Sequence, residues 1–365
     1  MSIQRNTCLW LIGAMIFQIM GCTEKNTDFY TVEDFVKVPK IDAHFHYNTN
    51  DIRFLEYADS INFRFVSPNV DAGMSIDRQF EISAAIKQNH PEKFFFLGTF
   101  SVDNFGEPWF SDSVIERIKE SMKAGASGVK VWKNIGMELK GPGDEFIMID
   151  NPVFEPVFSY LELHKIPVLG HLGEPLNCWL PLEEMTLGYD RRYFAENPRY
   201  HMFLHPTAPS YEDQIKARNN VLEQHSGLVF AGAHLASLEW SMDELARWFD
   251  SFPGLKVDLS ARMGHLQYQS LTDHEGVRNF LIRYQDRIMY GSDTAVSDLD
   301  TDYRGKTIEL HQVWLEDWIY MATDSTLIVA DLDRRHVRGL KLPRTVIDKI
   351  FHKNAEDFFI TNSSY

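Results

Sequence analysis

From residue 40 onward the chain alternates short, β-rich apolar runs with longer amphipathic ones. The short runs are 40–44, 63–68, 94–99, 128–132, 166–171, 228–233, 255–259 and 288–290. Between them, Val114, Ile115, Ile118 and Met122, and again Met242, Leu245, Trp248 and Phe249, recur at the spacing that gathers apolar side chains on one helical face. Eight strands alternating with helices predict an α/β fold, the (β/α)8 TIM barrel. The rival is an open doubly wound sheet, which carries a Gly-rich fingerprint after its first strand. None follows 40–44, and Gly141-Pro142-Gly143 lies outside a strand-to-helix turn. One connection is too long for simple joinery. Residues 172–227, a long loop insertion after strand 5, carry Trp179, Tyr189, Tyr193, His201 and His205 but one clear helical pattern, 215–222. Segments of that length in compact domains are usually functional, so this one is expected to be a lid.

Residues 1–39 depart from the pattern. After Arg5, positions 8–20 are nearly all apolar, too short to span a bilayer but suited to the core of a secretory signal. Ile19-Met20-Gly21-Cys22 resembles the lipobox of bacterial lipoproteins, which are cut before the cysteine and acylated on it. An ordinary signal peptide and an uncleaved anchor helix are the alternatives. The expected organisation is a lipoprotein signal peptide at 1–21, a tether at 22–38 and a barrel domain at 39–365. The mature chain would be exported and held on a bacterial membrane by acyl chains on Cys22. Cys178 is then the one free thiol, no intramolecular disulfide forms, and Cys178 reads as structural.

Charge narrows the partners. The chain has 36 Lys and Arg against 52 Asp and Glu, a net charge of −16, and no basic run longer than Arg191-Arg192 or Arg334-Arg335. Such a surface repels phosphate backbones, which excludes nucleic acid and leaves a small-molecule substrate and the membrane anchor. Oligomeric state is not legible.

The chemistry gathers at strand ends. In Asp42-Ala43-His44-Phe45-His46 the two histidines are two apart, so in an extended segment both rings point to one side. His171 and His234 follow the fifth and sixth runs, and Asp293 follows the eighth. Barrel active sites form at the C-terminal ends of strands, so these distant residues would converge on one mouth. Three or four imidazoles with a carboxylate suit a divalent metal, zinc above all. His90, His164 and His225 fall within or beside helices and read as structural.

Together these motifs resemble the amidohydrolase superfamily of metal-dependent hydrolases. The resemblance rests on Asp42-x-His44-x-His46, Gly170-His171, Gly232-Ala233-His234, Tyr290-Gly291-Ser292-Asp293 and Asn354-Ala355. It implies that His44, His46, His171 and Asp293 bind metal and that His234 is a second-metal ligand or a catalytic group. The glycine-led Asp293 motif looks most like the branch that also contains decarboxylases and lactonases. Residues 125–132 resemble the fourth strand of urease-like and dihydroorotase-like members, in which a lysine is carbamylated and bridges two metals. Lys130 stands at that position, so two bridged ions are expected; an ordinary amine beside a single ion is the alternative. Asp293 and His234 are the expected catalytic groups. Trp132, Lys133, Glu174 and Arg262 follow strands four, five and seven as candidate substrate contacts, with surface ion pairing the alternative for Lys133 and Glu174. The two cations suit an anionic substrate. The expected function is metal-dependent hydrolysis of a small amide, ester or lactone. A metal-dependent decarboxylase on the same scaffold and a non-catalytic binding lipoprotein are the other readings.

Overall fold

The computed structural model describes residues 28–361; the signal segment, Cys22 and the start of the tether lie outside the described residues. Twelve strands follow in chain order: β1 Lys40–Asp42, β2 His46–Asn48, β3 Phe63–Pro68, β4 Phe94–Leu97, β5 Val129–Val131, β6 Val168–Gly170, β7 Phe230–Gly232, β8 Lys256–Asp258, β9 Ile288–Met289, β10 Ala295–Ser297, β11 Thr326–Val329 and β12 Arg335–Arg338. Each of the eight predicted runs holds one barrel strand. The parallel sheets β1-β3-β4 and β5-β6-β7-β8-β9 are joined by hydrogen bonds from Gly98 N–H to Gly128 O (2.9 Å) and from Lys130 N–H to Gly98 O (2.7 Å). The other seam is drawn together by Ala43 N–H to Tyr290 O (3.0 Å) and Asp293 N–H to His44 O (2.9 Å). These bonds close the (β/α)8 barrel, with helices outside it.

Alternation along the strands sorts side chains into two layers. Phe63, Phe65, Phe94, Phe96, Val129, Val131, Val168 and Val257 pack outward against the helices. Ile41, Val66, Phe95, Leu97, Leu169, Ala231 and Met289 form a separate inner cluster with Phe358 and Phe359 of the final helical segment. Lys130, on the inner face of β5, interrupts that apolar filling with an amine.

Three features were not legible beforehand. The run expected at 40–44 stops at Asp42; the chain bends and resumes as β2, which pairs in parallel with β10 at the rim. A hairpin of β11 and β12 follows the long helix Tyr303–Ala322. The insertion is more ordered than a bare lid loop, with helices Gly188–Glu196 and Tyr211–Gln224. It has its own apolar cluster of Met137, Cys178, Met185, Phe194, Tyr200 and Met202. Cys178 Sγ donates to Tyr200 O at 2.8 Å, and burial pushes its thiol well up, the environment of an inert structural cysteine.

Candidate metal centre

His44, His46, Lys130, His171, His234 and Asp293 meet at the C-terminal mouth of the barrel. His44 Nε2 and His46 Nε2 lie 3.5 and 3.2 Å from Asp293 Oδ1. His234 Nε2 lies 3.2 Å from His171 Nδ1, and Lys130 Nζ is 3.2 Å from His44 Nε2. Each imidazole is pinned through its other nitrogen, which assigns the tautomers. His44 Nδ1 faces Asp258 Oδ2 at 2.7 Å, His46 Nδ1 faces Pro68 O at 3.1 Å, and His234 Nδ1 faces Ser260 O at 2.9 Å. His171 Nε2 is held more loosely, 3.4 Å from Glu174 Oε2.

The donor set fits a divalent ion. With their outer nitrogens donating, His171 Nδ1 and His234 Nε2 present lone pairs to each other, an arrangement that repels unless a cation lies between. Tetrahedral ligands held at ~2.05 Å from an ion stand about 3.3 Å apart, close to the separations within both groups. His44, His46 and Asp293 form one cluster able to hold a metal. Burial, with Lys130 nearby, keeps the His44 and His171 rings neutral, and burial does the same for His234. Burial acts against ionisation of Asp293, but the imidazoles of His234, His44 and His46 outweigh it and hold the carboxyl well below its usual range. Neutral imidazoles and an ionised carboxylate are the forms that bind metal.

Asp258 and Ser260 are the residues that sequence reasoning missed. Asp258 accepts from the His234 backbone N–H at 2.7 Å as well as facing His44, and Ser260 Oγ lies 2.9 and 3.0 Å from Nδ1 of His44 and His234. His44, His234 and Asp258 also group closely enough to hold an ion. Asp258 is already committed to these hydrogen bonds, which makes it an orienting partner of the kind that fixes a metal-ligating ring. The available signal was its place at the end of the seventh run, the rule that picked out Arg262. Asp42, buried, accepts from Ser292 N–H (2.9 Å) and Trp314 Nε1 (3.0 Å) and ties β1 to the Asp293 segment.

The backbone here is unusual. His234, Leu235, Ala236 and Ser237 all have positive φ, +54° to +58°, and so do Ala261 (+53°) and Asp293 (+61°). Left-handed backbone costs about 1–2 kcal/mol at each residue with a Cβ, so the surroundings must hold this turn in place.

Opposite the strand ends, a cavity of about 80 Å³ is lined by His46, His171, His234 and Asp293 on one side. Trp132, Lys133, Glu174, Tyr189, Tyr193 and Arg262 line the other. This corrects the surface reading of Lys133 and Glu174, which are 2% and 3% exposed and form a buried ion pair, with Tyr193 OH 3.0 Å from Lys133 Nζ. Their spacing of 41 residues gave no local sign of that pairing. Lys133 is thus not a free cation for substrate. Arg262 is different: it is buried, one guanidinium nitrogen donates to Ala261 O at 3.0 Å, and its Nε has no partner. Trp132 Nε1 is also unpartnered.

Known proteins agree with this architecture. A TIM-barrel protein of Bordetella bronchiseptica, itself uncharacterised, superposes with a TM-score of 0.52 at 14% identity, over 88% of this chain and 98% of that one. The 2,6-dihydroxybenzoate decarboxylase of Rhizobium superposes with a TM-score of 0.51 at 15% identity, over 88% and 98%. At such identities the likeness concerns the fold. No curated protein matches the sequence. A family model described as amidohydrolase matches residues 41–360, nearly the whole described chain, and by that match this chain belongs to the amidohydrolase family.

Proposed function

We propose that the chain is a metal-dependent hydrolase of a small carbonyl compound, an amide, ester or lactone bearing an anionic group, with zinc as its ion. The observation that carries this reading is the set of inward-facing ring nitrogens and the Asp293 oxygen at the spacing of metal ligands. His44, His46, His171 and Asp293 are the proposed ligands of a first ion. With a second ion, His171 and His234 would be shared toward it. Lys130, having lost a proton to form a carbamate with CO2, would add an anionic bridge. Burial pulls the Lys130 amine down to about 8, which leaves part of it unprotonated and able to react. With one ion, Lys130 stays an amine and His234 is catalytic.

When bound, a divalent ion supplies Lewis acidity, polarising a carbonyl and acidifying water. The side chains do the rest. Asp293 Oδ1 faces His44 and His46, and Oδ2, 4.0 Å from His234 Nδ1, is the atom that would take a proton from attacking water and return it to the leaving group. Without a second ion on its Nε2 lone pair, His234 would have to take up a proton there to stabilise the negative charge that develops on the substrate oxygen. Arg262, with unused donors at the cavity wall, anchors the anionic group. The insertion covers the mouth and keeps bulk water from the site.

A decarboxylase reading uses the same residues, and the buried Arg262 suits a carboxylate substrate equally well. Metal-loaded protein assayed against lactones, amides and aromatic carboxylates separates the two. Hydrolysis consumes water and yields a new carboxyl or hydroxyl group, whereas decarboxylation releases CO2. No turnover of any class by metal-loaded protein would favour the binding-protein reading. Export and anchoring through Cys22 remain part of the proposal; a Cys22→Ala protein that is still processed and retained in membranes removes that part.

A further inference from the structure

The turn that carries His234 is held from outside the barrel as well as from within it. Four consecutive residues, His234 to Ser237, adopt left-handed backbone although each has a Cβ. Inside the turn Ser237 N–H donates to His234 O (3.1 Å) and Leu238 N–H to Leu235 O (3.0 Å). The barrel holds its first residue through Asp258 and Ser260, and the insertion supplies bonds to the rest. Arg218 Nη1 donates to Ala236 O, Tyr211 OH donates to Ser237 O, and Ser237 Oγ donates to Gly173 O at 3.0 Å. Gly232 has no room for a side chain, because a Cβ there would meet Ala236 Cβ at 2.5 Å; the turn folds back onto the end of β7.

Arg218 is the informative member. It is 1% exposed, and none of the ion pairs among the described residues includes it. Its Nε and Nη2 lie 3.2 and 3.0 Å from Asn219 Oδ1, and its guanidinium sits 5.1 Å from the Trp248 ring centroid. A buried guanidinium is ordinarily matched to a carboxylate. Here its remaining donor is aimed at a carbonyl of a strained turn whose first residue places Nε2 3.2 Å from His171 Nδ1. Gly173, two residues past His171, receives the Ser237 hydroxyl, so the same network reaches both imidazoles of the pair.

We propose that Arg218 and Tyr211, on the insertion helix Tyr211–Gln224, are positioning residues that clamp the left-handed turn and thereby aim His234 at His171. The insertion is then a structural part of the metal centre as well as its cover. The metal aspect rests on the proposed ligand roles of His171 and His234; the aim of the His234 ring does not.

The test uses full-length protein with Arg218→Met, which keeps the aliphatic stem, Arg218→Lys, which keeps a donor, and Tyr211→Phe, which removes a single hydroxyl. Two readouts are taken: long-range 1H–15N spectra of the imidazoles in metal-free protein, and cobalt(II) titration followed by visible absorption. The expected result is a shifted His234 ring signal and at least tenfold weaker cobalt binding with an altered spectrum in Arg218→Met, partly rescued in Arg218→Lys. Tyr211→Phe shows the same changes in smaller degree at near-native thermal stability, and it carries the test if Arg218→Met does not fold. Unchanged His234 signals and cobalt spectra in the folded variants overturn the clamp. If the parent protein binds no cobalt but the His234 signal still moves, the clamp stands and the metal reading falls. If it binds cobalt identically in every variant, the clamp alone falls.

Discussion

The two walls of the cavity hold their polar groups by different means. On the strand side, buried imidazoles are each fixed at one nitrogen by a neighbour, as Asp258 fixes His44 and Ser260 O fixes His234, leaving the other nitrogen free. On the insertion side, charges are matched to each other: Lys133 with Glu174 and Tyr193, and Asp190 with His265 (3.1 Å) and Asn177 (2.6 Å). The first arrangement leaves binding capacity unused in the centre. The second uses its capacity internally and leaves Arg262 as the cation with donors to spare. The strand wall can thus hold a cation, and the opposite wall pairs its own charges and leaves Arg262 uncommitted.

The largest effects should come from deleting the unused capacity of the strand wall. His44→Ala and His171→Ala are expected to lose most bound metal, and catalysis with it, while retaining a native circular dichroism spectrum. These rings serve the mouth, and the apolar filling around Phe358 and Phe359 lies apart from them. Metal content of the purified variants is the measurement; parent levels in both would remove the ligand assignment. Lys130→Ala sharpens the same point. If two ions are bridged there, stoichiometry falls from two per chain toward one, whereas a single-ion site keeps its ion.

The insertion wall should respond in stability. Lys133→Met leaves Glu174 buried without its partner, and breaking a buried pair from one side costs ~3–5 kcal/mol. Urea unfolding should show that loss, and the double variant Lys133→Met/Glu174→Leu should recover much of it, since both side chains are then apolar. A single variant as stable as the parent would mean that the pair does not hold this wall.

This difference also explains what was readable in the sequence. Periodicity located all eight barrel strands because inner and outer layers impose alternation, as at Phe63 to Pro68. The strand-end rule then located His44, His46, His171, His234 and Asp293, because in a barrel such positions share one mouth whatever their separation along the chain. Asp258 escaped since nothing local distinguishes an orienting carboxylate from one that caps a turn. Its role depends on His44, 214 residues away. The insertion was opaque for the same reason: Lys133–Glu174 and Arg218–Ala236 are tertiary pairings that no period encodes. The left-handed run at 234–237 contains no glycine, so the usual marker of positive φ was missing.

An intermediate effect is expected at Asp258, where the strand wall can be weakened without removing a ligand. Asp258→Asn keeps the shape and one acceptor oxygen but loses the charge that favours His44 with its proton on Nδ1. Orienting partners of metal-bound histidines are typically worth ~10–100-fold in metal affinity. Competition against a chelator of known strength measures this directly. An affinity unchanged from the parent would leave Asp258 with a purely structural task.

The smallest effect should fall on the one group the insertion wall leaves uncommitted. Arg262→Lys preserves charge but replaces a planar fork of donors with a single ammonium, so a carboxylate loses its paired hydrogen bonds. Charge-assisted bonds contribute ~1.5–3 kcal/mol each, and retention of one of two predicts a loss of at least about tenfold in affinity. Benzoate is a suitable probe, because its binding to metal-loaded protein can be followed by calorimetry without knowing the substrate. Arg262→Met should weaken it further, while the bound metal stays at the parent level in both variants, since Arg262 is no ligand. If benzoate binds the Lys and Met variants as it binds the parent, the anion is held by the ion alone and Arg262 has another role. If metal content falls together with benzoate affinity, the two walls are not the separate devices that their contacts describe.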